Sequence, residues 1–207
     1  MSRAMLPAFQ SGLTLVETVI VIALYTLLSG VLFTTIQSLY QNNAYAIAQS
    51  SEVDNGRRAI IRWARDAREM TFAENGFFPI LIADPNHLAF FSDTDNNGEA
   101  ELVAYELVSS TTLERRIHHP TGFPASYDLV TPDTVEISSE FVQNMTFGTS
   151  TFFYFDNTGT LIPDGTAQLT DISYIAAQFI VNVDPIQNPG EFVLRNSVAP
   201  RNLKDNL

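Results

Sequence analysis

Two groups of side chains in this 207-residue sequence have types and spacings that could do chemistry. The first is Asp93-Thr94-Asp95-Asn96-Asn97-Gly98-Glu99-Ala100-Glu101, where oxygen-bearing side chains recur at alternate positions and a glycine stands sixth. That spacing suits a hard cation such as Ca2+, which takes about 6 to 8 oxygen ligands and needs a sharp turn in the loop that wraps it. Asp93, Asp95, Asn97, the Glu99 carbonyl, Glu101 and water would be its ligands, and Gly98 would permit the turn. The loop departs from the EF-hand at the twelfth position, where Ala104 replaces the bidentate glutamate. A plain Asn-Gly hairpin turn with acidic neighbours accounts for the same residues without a metal.

The second is a single carboxylate, Glu17, at the head of an apolar run. After Glu17 the next charged residue is Glu52, and Thr18 to Ile36 holds enough apolar length to cross a hydrocarbon layer of roughly 30 Å at about 1.5 Å per residue. A secretory signal has a shorter apolar run, so Ala46-Ile47-Ala48 makes a poor signal-peptidase site. A carboxylate entering hydrocarbon costs about 2.5 kcal/mol or more, so Glu17 calls for a function or a partner.

Ser11-Gly12-Leu13-Thr14-Leu15-Val16-Glu17 resembles the leader junction of type IV pilins and type II secretion pseudopilins. The resemblance implies a leader over 1–12, cleavage by a prepilin peptidase between Gly12 and Leu13, and methylation of the new Leu13 amine. It also implies a transmembrane and assembly helix over 13–39, with Glu17 pairing with a neighbouring subunit's terminal ammonium, and an extracytoplasmic head over 40–207. A buried carboxylate is tolerable once such a cation pairs with it. Many members of the family carry phenylalanine where this chain has Leu13, and without a proline any bend in the helix must use Ser29-Gly30.

The implied product is a structural, non-enzymatic subunit, single-pass in the cytoplasmic membrane with its N-terminus inside, whose partners are the peptidase, the membrane and other subunits. A weaker resemblance, to J-type minor pseudopilins, rests on Arg62 to Arg68, Tyr105, Leu113 to Arg116 and Arg201-Asn202. The alternative is a stand-alone anchored binding module with a calcium-stabilised loop, which leaves the spacing of Gly12 and Glu17 to chance.

Positioning these groups requires an α+β plan. From Tyr40 to about Met70, Ala46, Val53, Ile60, Ile61, Ala64 and Ala67 recur at helical spacing, so the anchor helix is expected to continue into the head. Asp54 with Arg58, Arg62 with Asp66 and Arg65 with Glu69 are expected to pair along its solvent face, with Trp63 in the core. The arginines could also meet acidic surfaces of neighbouring subunits.

Beyond Gly76 the period changes to strands at Pro79–Ala83, His87–Ser92, Leu102–Ser109, Thr112–His118, Phe141–Phe147, Thr151–Asp156, Ile172–Val183 and Phe192–Val198. Turns are expected at Asp84-Pro85-Asn86 and Ser109-Ser110, with a proline-rich loop over 120–132. The run Phe152 to Phe155 must expose some of its rings.

Composition narrows the function classes. Acidic residues outnumber basic ones 23 to 11, for a formal charge of -12, which disfavours nucleic-acid binding through the bulk surface. With no cysteine there is neither a disulfide nor thiolate chemistry. His118 and His119 are adjacent on an expected strand and point to opposite faces, so they cannot share one ion.

Overall fold

The computed structural model describes residues 14–163, 165–187 and 190–203, without the side chains of Ala167 and Asn202. The chain divides into two compact units at Tyr45/Ala46. One helix, α1 (Leu15–Arg68, 54 residues), contributes to both, and it runs through Ser29-Gly30 without interruption.

Within the first unit, α1 is exposed from Leu15 to Ala44 although Val19, Ile22, Leu27, Val31, Phe33 and Leu39 are apolar. It is long and apolar enough to cross a membrane, which is compatible with single-pass anchoring.

Within the second unit, α1 is amphipathic. Gln49, Val53, Gly56, Ile60, Trp63, Ala64 and Ala67 are buried at steps of one, three and four residues, the stripe that lies along one face of a helix. Ala46 and Ile61, expected on this face, are exposed. Gly56 is required there: a Cβ would come within 2.8 Å of Val181 and 3.0 Å of Leu194.

Two antiparallel sheets follow. The first is a five-stranded meander, β1 (Ile80–Ala83), β2 (His87–Ser92), β3 (Glu101–Val108), β4 (Thr112–His118) and β5 (Thr134–Ser139). The second has the order β7-β6-β8-β9, built from β6 (Phe152–Phe155), β7 (Leu161–Ile162), β8 (Tyr174–Val181) and β9 (Phe192–Val198). The head is therefore α+β, as expected. The β3–β4 turn uses Ser109 and Ser110, both at positive φ, the backbone that a two-residue hairpin turn demands.

The main core joins the α1 stripe, around fully buried Trp63, to residues of both sheets, among them Phe90, Val103, Tyr105, Phe152 and Phe179. A second cluster of Ala89, Phe91, Ala100, Leu102 and Ala104 occupies the opposite face of the first sheet, with Tyr127 from the proline-rich loop packed on it. In β6, Phe152 and Tyr154 are buried, whereas Phe153 and Phe155 are half-buried on the other face, Phe155 stacked on Tyr174 at 4.6 Å.

The strand expectations need correcting in three places. Phe141–Phe147 forms a single bridge at Val142 and then a turn, because buried Asn144 takes the place of a strand neighbour. Its side-chain amide donates to the carbonyls of Ser150 and Gln178, and its oxygen accepts from the Ile180 amide. β5 and β7, by contrast, were not expected; β5 pairs with β4 as an edge strand, and the two-residue β7 pairs with β6.

Candidate functional site

Glu17 opens α1. Its amide donates to Thr14 Oγ1 at 3.3 Å, and its carboxylate accepts from the Thr14 amide at 3.5 Å. This reciprocal Thr-x-x-Glu arrangement is a capping box, which satisfies backbone donors that the first turn would otherwise leave unpaired. The signal was present in the sequence as Thr14 three residues before Glu17. Gly12 and Leu13, the expected cleavage junction, lie outside the described residues, as does the leader.

The second site lies between β2 and β3. Asp93 accepts the amides of Asn97 at 3.1 Å and Gly98 at 3.0 Å, and Asp95 accepts the Asn97 amide at 3.1 Å. Asn96 and Gly98 stand at positive φ, which lets the chain curl tightly enough for these contacts. One carboxylate oxygen from each of Asp93, Asp95 and Glu101 lies within 4.8 Å of the other two.

Glu101 is fully buried. Its Oε2 accepts the Thr94 amide at 2.7 Å and the Thr94 hydroxyl at 3.0 Å, whereas its Oε1 accepts no hydrogen bond. His119 Nδ1 lies 3.9 Å from that oxygen. Three carboxylates so close repel one another, and a cation among them would offset that repulsion. The three carboxylates could therefore hold a metal ion.

Of the other expected ligands, Asn97 turns its side-chain oxygen to the Glu99 amide at 2.7 Å. Thr94, which fixes Glu101, went unrecognised because a threonine between two aspartates carries no ligand signal of its own. As expected, the two histidines point apart: His118 is buried, and His119 is exposed.

A third cluster sits where α1 meets the first sheet. Asp66 Oδ2 accepts Arg115 Nε at 2.8 Å and the Tyr105 hydroxyl at 2.9 Å, with all three residues almost fully buried. Glu136, on β5, is 2.8 Å from Arg62 and 3.6 Å from Arg115. Burial, and then the neighbouring Asp66 charge, push the Tyr105 phenol well above its usual 10.0.

The expected pairs four apart on α1 are replaced. Arg57 binds Asp54 three residues before it, Arg58 binds Asn55, Arg62 reaches Glu136, Arg65 stands 3.5 Å from Asp66 Oδ1, and Asp66 turns inward to Arg115. Three segments singled out in the sequence, Arg62–Arg68, Tyr105 and Leu113–Arg116, thus converge on one buried ion pair.

No protein-family model matches the chain, and no curated protein matches it.

Proposed function

We propose that this chain is a structural minor subunit of the type IV pilin and type II secretion pseudopilin kind. A prepilin peptidase cuts between Gly12 and Leu13, and α1 spans the cytoplasmic membrane with its N-terminus inside and the head outside. Subunits then pack through α1 into a filament. The observation that carries this reading is α1 from Leu15 to Ala44: largely apolar, exposed throughout, and bearing a single carboxylate at its start. A membrane can cover such a surface, but it gives no use for a charge, whereas a neighbouring subunit's ammonium does. In the head, the ion for Asp93, Asp95 and Glu101 is Ca2+, because the donors are all oxygen and sit on an adaptable loop.

The capping box supplies a clean test of Glu17. Glutamine can hold the same reciprocal bonds without the charge, so Glu17→Gln keeps the cap and removes only the ion pair. On coexpression with a prepilin peptidase, the mature mass should correspond to a chain beginning at methylated Leu13. Glu17→Gln should still insert and be cleaved, yet fail to enter filaments. An intact N-terminus would instead favour a stand-alone anchored binding module, and normal incorporation of Glu17→Gln would refute the assembly contact.

A further inference from the structure

We infer that a divalent cation seated on Asp93, Asp95 and Glu101 clamps the 119–133 loop in place; this rests on the calcium reading given above. The site is more than an acidic cluster, because Glu101 is fully buried: Thr94, between the two aspartates, holds its Oε2, and its Oε1 accepts no hydrogen bond, the nearest base being His119 Nδ1 at 3.9 Å. Calcium binds oxygen at about 2.3–2.6 Å, so ligands on opposite sides of one ion stand roughly 5 Å apart, which the 4.8 Å envelope of these carboxylates allows.

The clamp follows from what Glu101 and its neighbour Ala100 touch. The Ala100 carbonyl accepts the Tyr127 hydroxyl at 2.7 Å, and the Ala100 amide donates to Glu74 Oε1 at 3.1 Å. The same Tyr127 oxygen accepts the Glu74 amide at 3.2 Å, and its ring lies 5.0 Å from that of Phe91. At the start of the loop, His119 faces Glu101 Oε1 and its amide donates to Asp133 at 2.8 Å. Residues 100 and 101 therefore hold the loop through Tyr127 in its middle and His119 at its base.

Without the cation, repulsion among three carboxylates favours withdrawal of Glu101, and the Ala100 anchor moves with it. With the cation, the loop is held in the arrangement that presents exposed Phe123, Leu129 and Val130. The ion thus controls a segment that supplies none of its ligands.

The experiment uses the full chain in detergent micelles, with calcium chloride as the probe, calorimetry for binding and amide hydrogen exchange for the loop. Calcium should bind and slow exchange across 119–133 by about tenfold or more, the behaviour of a segment whose local opening has been suppressed. Glu101→Gln should lose both effects, and Asp95→Asn, at an exposed position, provides the same arm if the buried change impairs folding. Tyr127→Phe should keep the binding and lose the protection. Binding without slower exchange would overturn the clamp and leave the calcium reading intact; no binding at millimolar calcium would overturn both.

Discussion

Asp66 and Glu101 are both fully buried carboxylates of the head, yet their surroundings differ in one respect. Asp66 meets a guanidinium and a phenol supplied by the fold itself, both directed at one oxygen. Glu101 meets two further carboxylates and Thr94, with His119 Nδ1 3.9 Å from its Oε1, and both buried carboxylates leave one oxygen without a hydrogen bond. A desolvated charge must be neutralised or it is strongly destabilising. Where the chain supplies the counter-ion, the cluster is framework; where it supplies more negative charge, the cluster is built to receive a cation from outside.

The largest effect should come from breaking the internally neutralised cluster. Arg115→Met leaves buried Asp66 with only the exposed Arg65 guanidinium, 3.5 Å from Oδ1, as counter-ion, which should cost about 3 kcal/mol, read from denaturant unfolding of the full chain in detergent. Replacing both partners, Asp66→Asn with Arg115→Met, removes the charge along with its counter-ion and should recover much of that loss. Similar stabilities for the single and double variants would mean that the pair does not act as a unit. The same denaturation should show no dependence of the Arg115→Met penalty on calcium.

The acidic loop should behave in the opposite way, gaining stability from solution. A cation that binds only the folded state adds about 2.7 kcal/mol at a concentration one hundred times its Kd. Thermal unfolding of the wild-type chain should shift upward with added calcium, and Asp95→Asn should abolish most of that shift. If Asp95→Asn instead raised stability in the absence of calcium and left the calcium shift unchanged, the carboxylates would be a repulsive surface cluster, and the contrast with Asp66 would fail.

The sequence made these two clusters legible to different degrees. The loop could be read because alternate oxygen donors with a glycine are a local pattern, and it needed only the backbone curl at Asn96 and Gly98 to close. What could not be read was that Glu101 starts β3, which buries it and separates its role from that of Glu99. The Asp66 cluster was invisible as a site because its members are 39 and 49 residues apart in sequence. Local spacing instead paired Asp66 with Arg62 along the helix, whereas tertiary packing turned it inward to β4.

β5 was missed because it begins immediately after a proline-rich loop and leaves Val135 and Ile137 exposed, yet it delivers Glu136 to Arg62 and Arg115. Phe141–Phe147 was misread as a strand because its apolar alternation is real, but a buried asparagine side chain made the hydrogen bonds that a strand would have made.

The smallest effect concerns the phenol that completes the Asp66 cluster. Tyr105→Phe removes one hydrogen bond to a charged oxygen that still holds Arg115, so the loss near neutral pH should be about 1.5 kcal/mol. Its pH dependence is more diagnostic. The Tyr105 phenol is held well above its usual 10.0, by burial first and the Asp66 charge second, so its stabilisation is complete below about pH 10. Above that, the unfolded chain ionises while the folded chain does not, and stability falls by about 1.4 kcal/mol per pH unit for each such group until the folded value is reached. Tyr154 is raised in the same direction, by burial and then by Asp84, so Tyr105→Phe should make the alkaline decline shallower without abolishing it. An unchanged slope would mean that Tyr105 reaches water and ionises freely in the folded state, which is incompatible with a closed, internally neutralised cluster around Asp66.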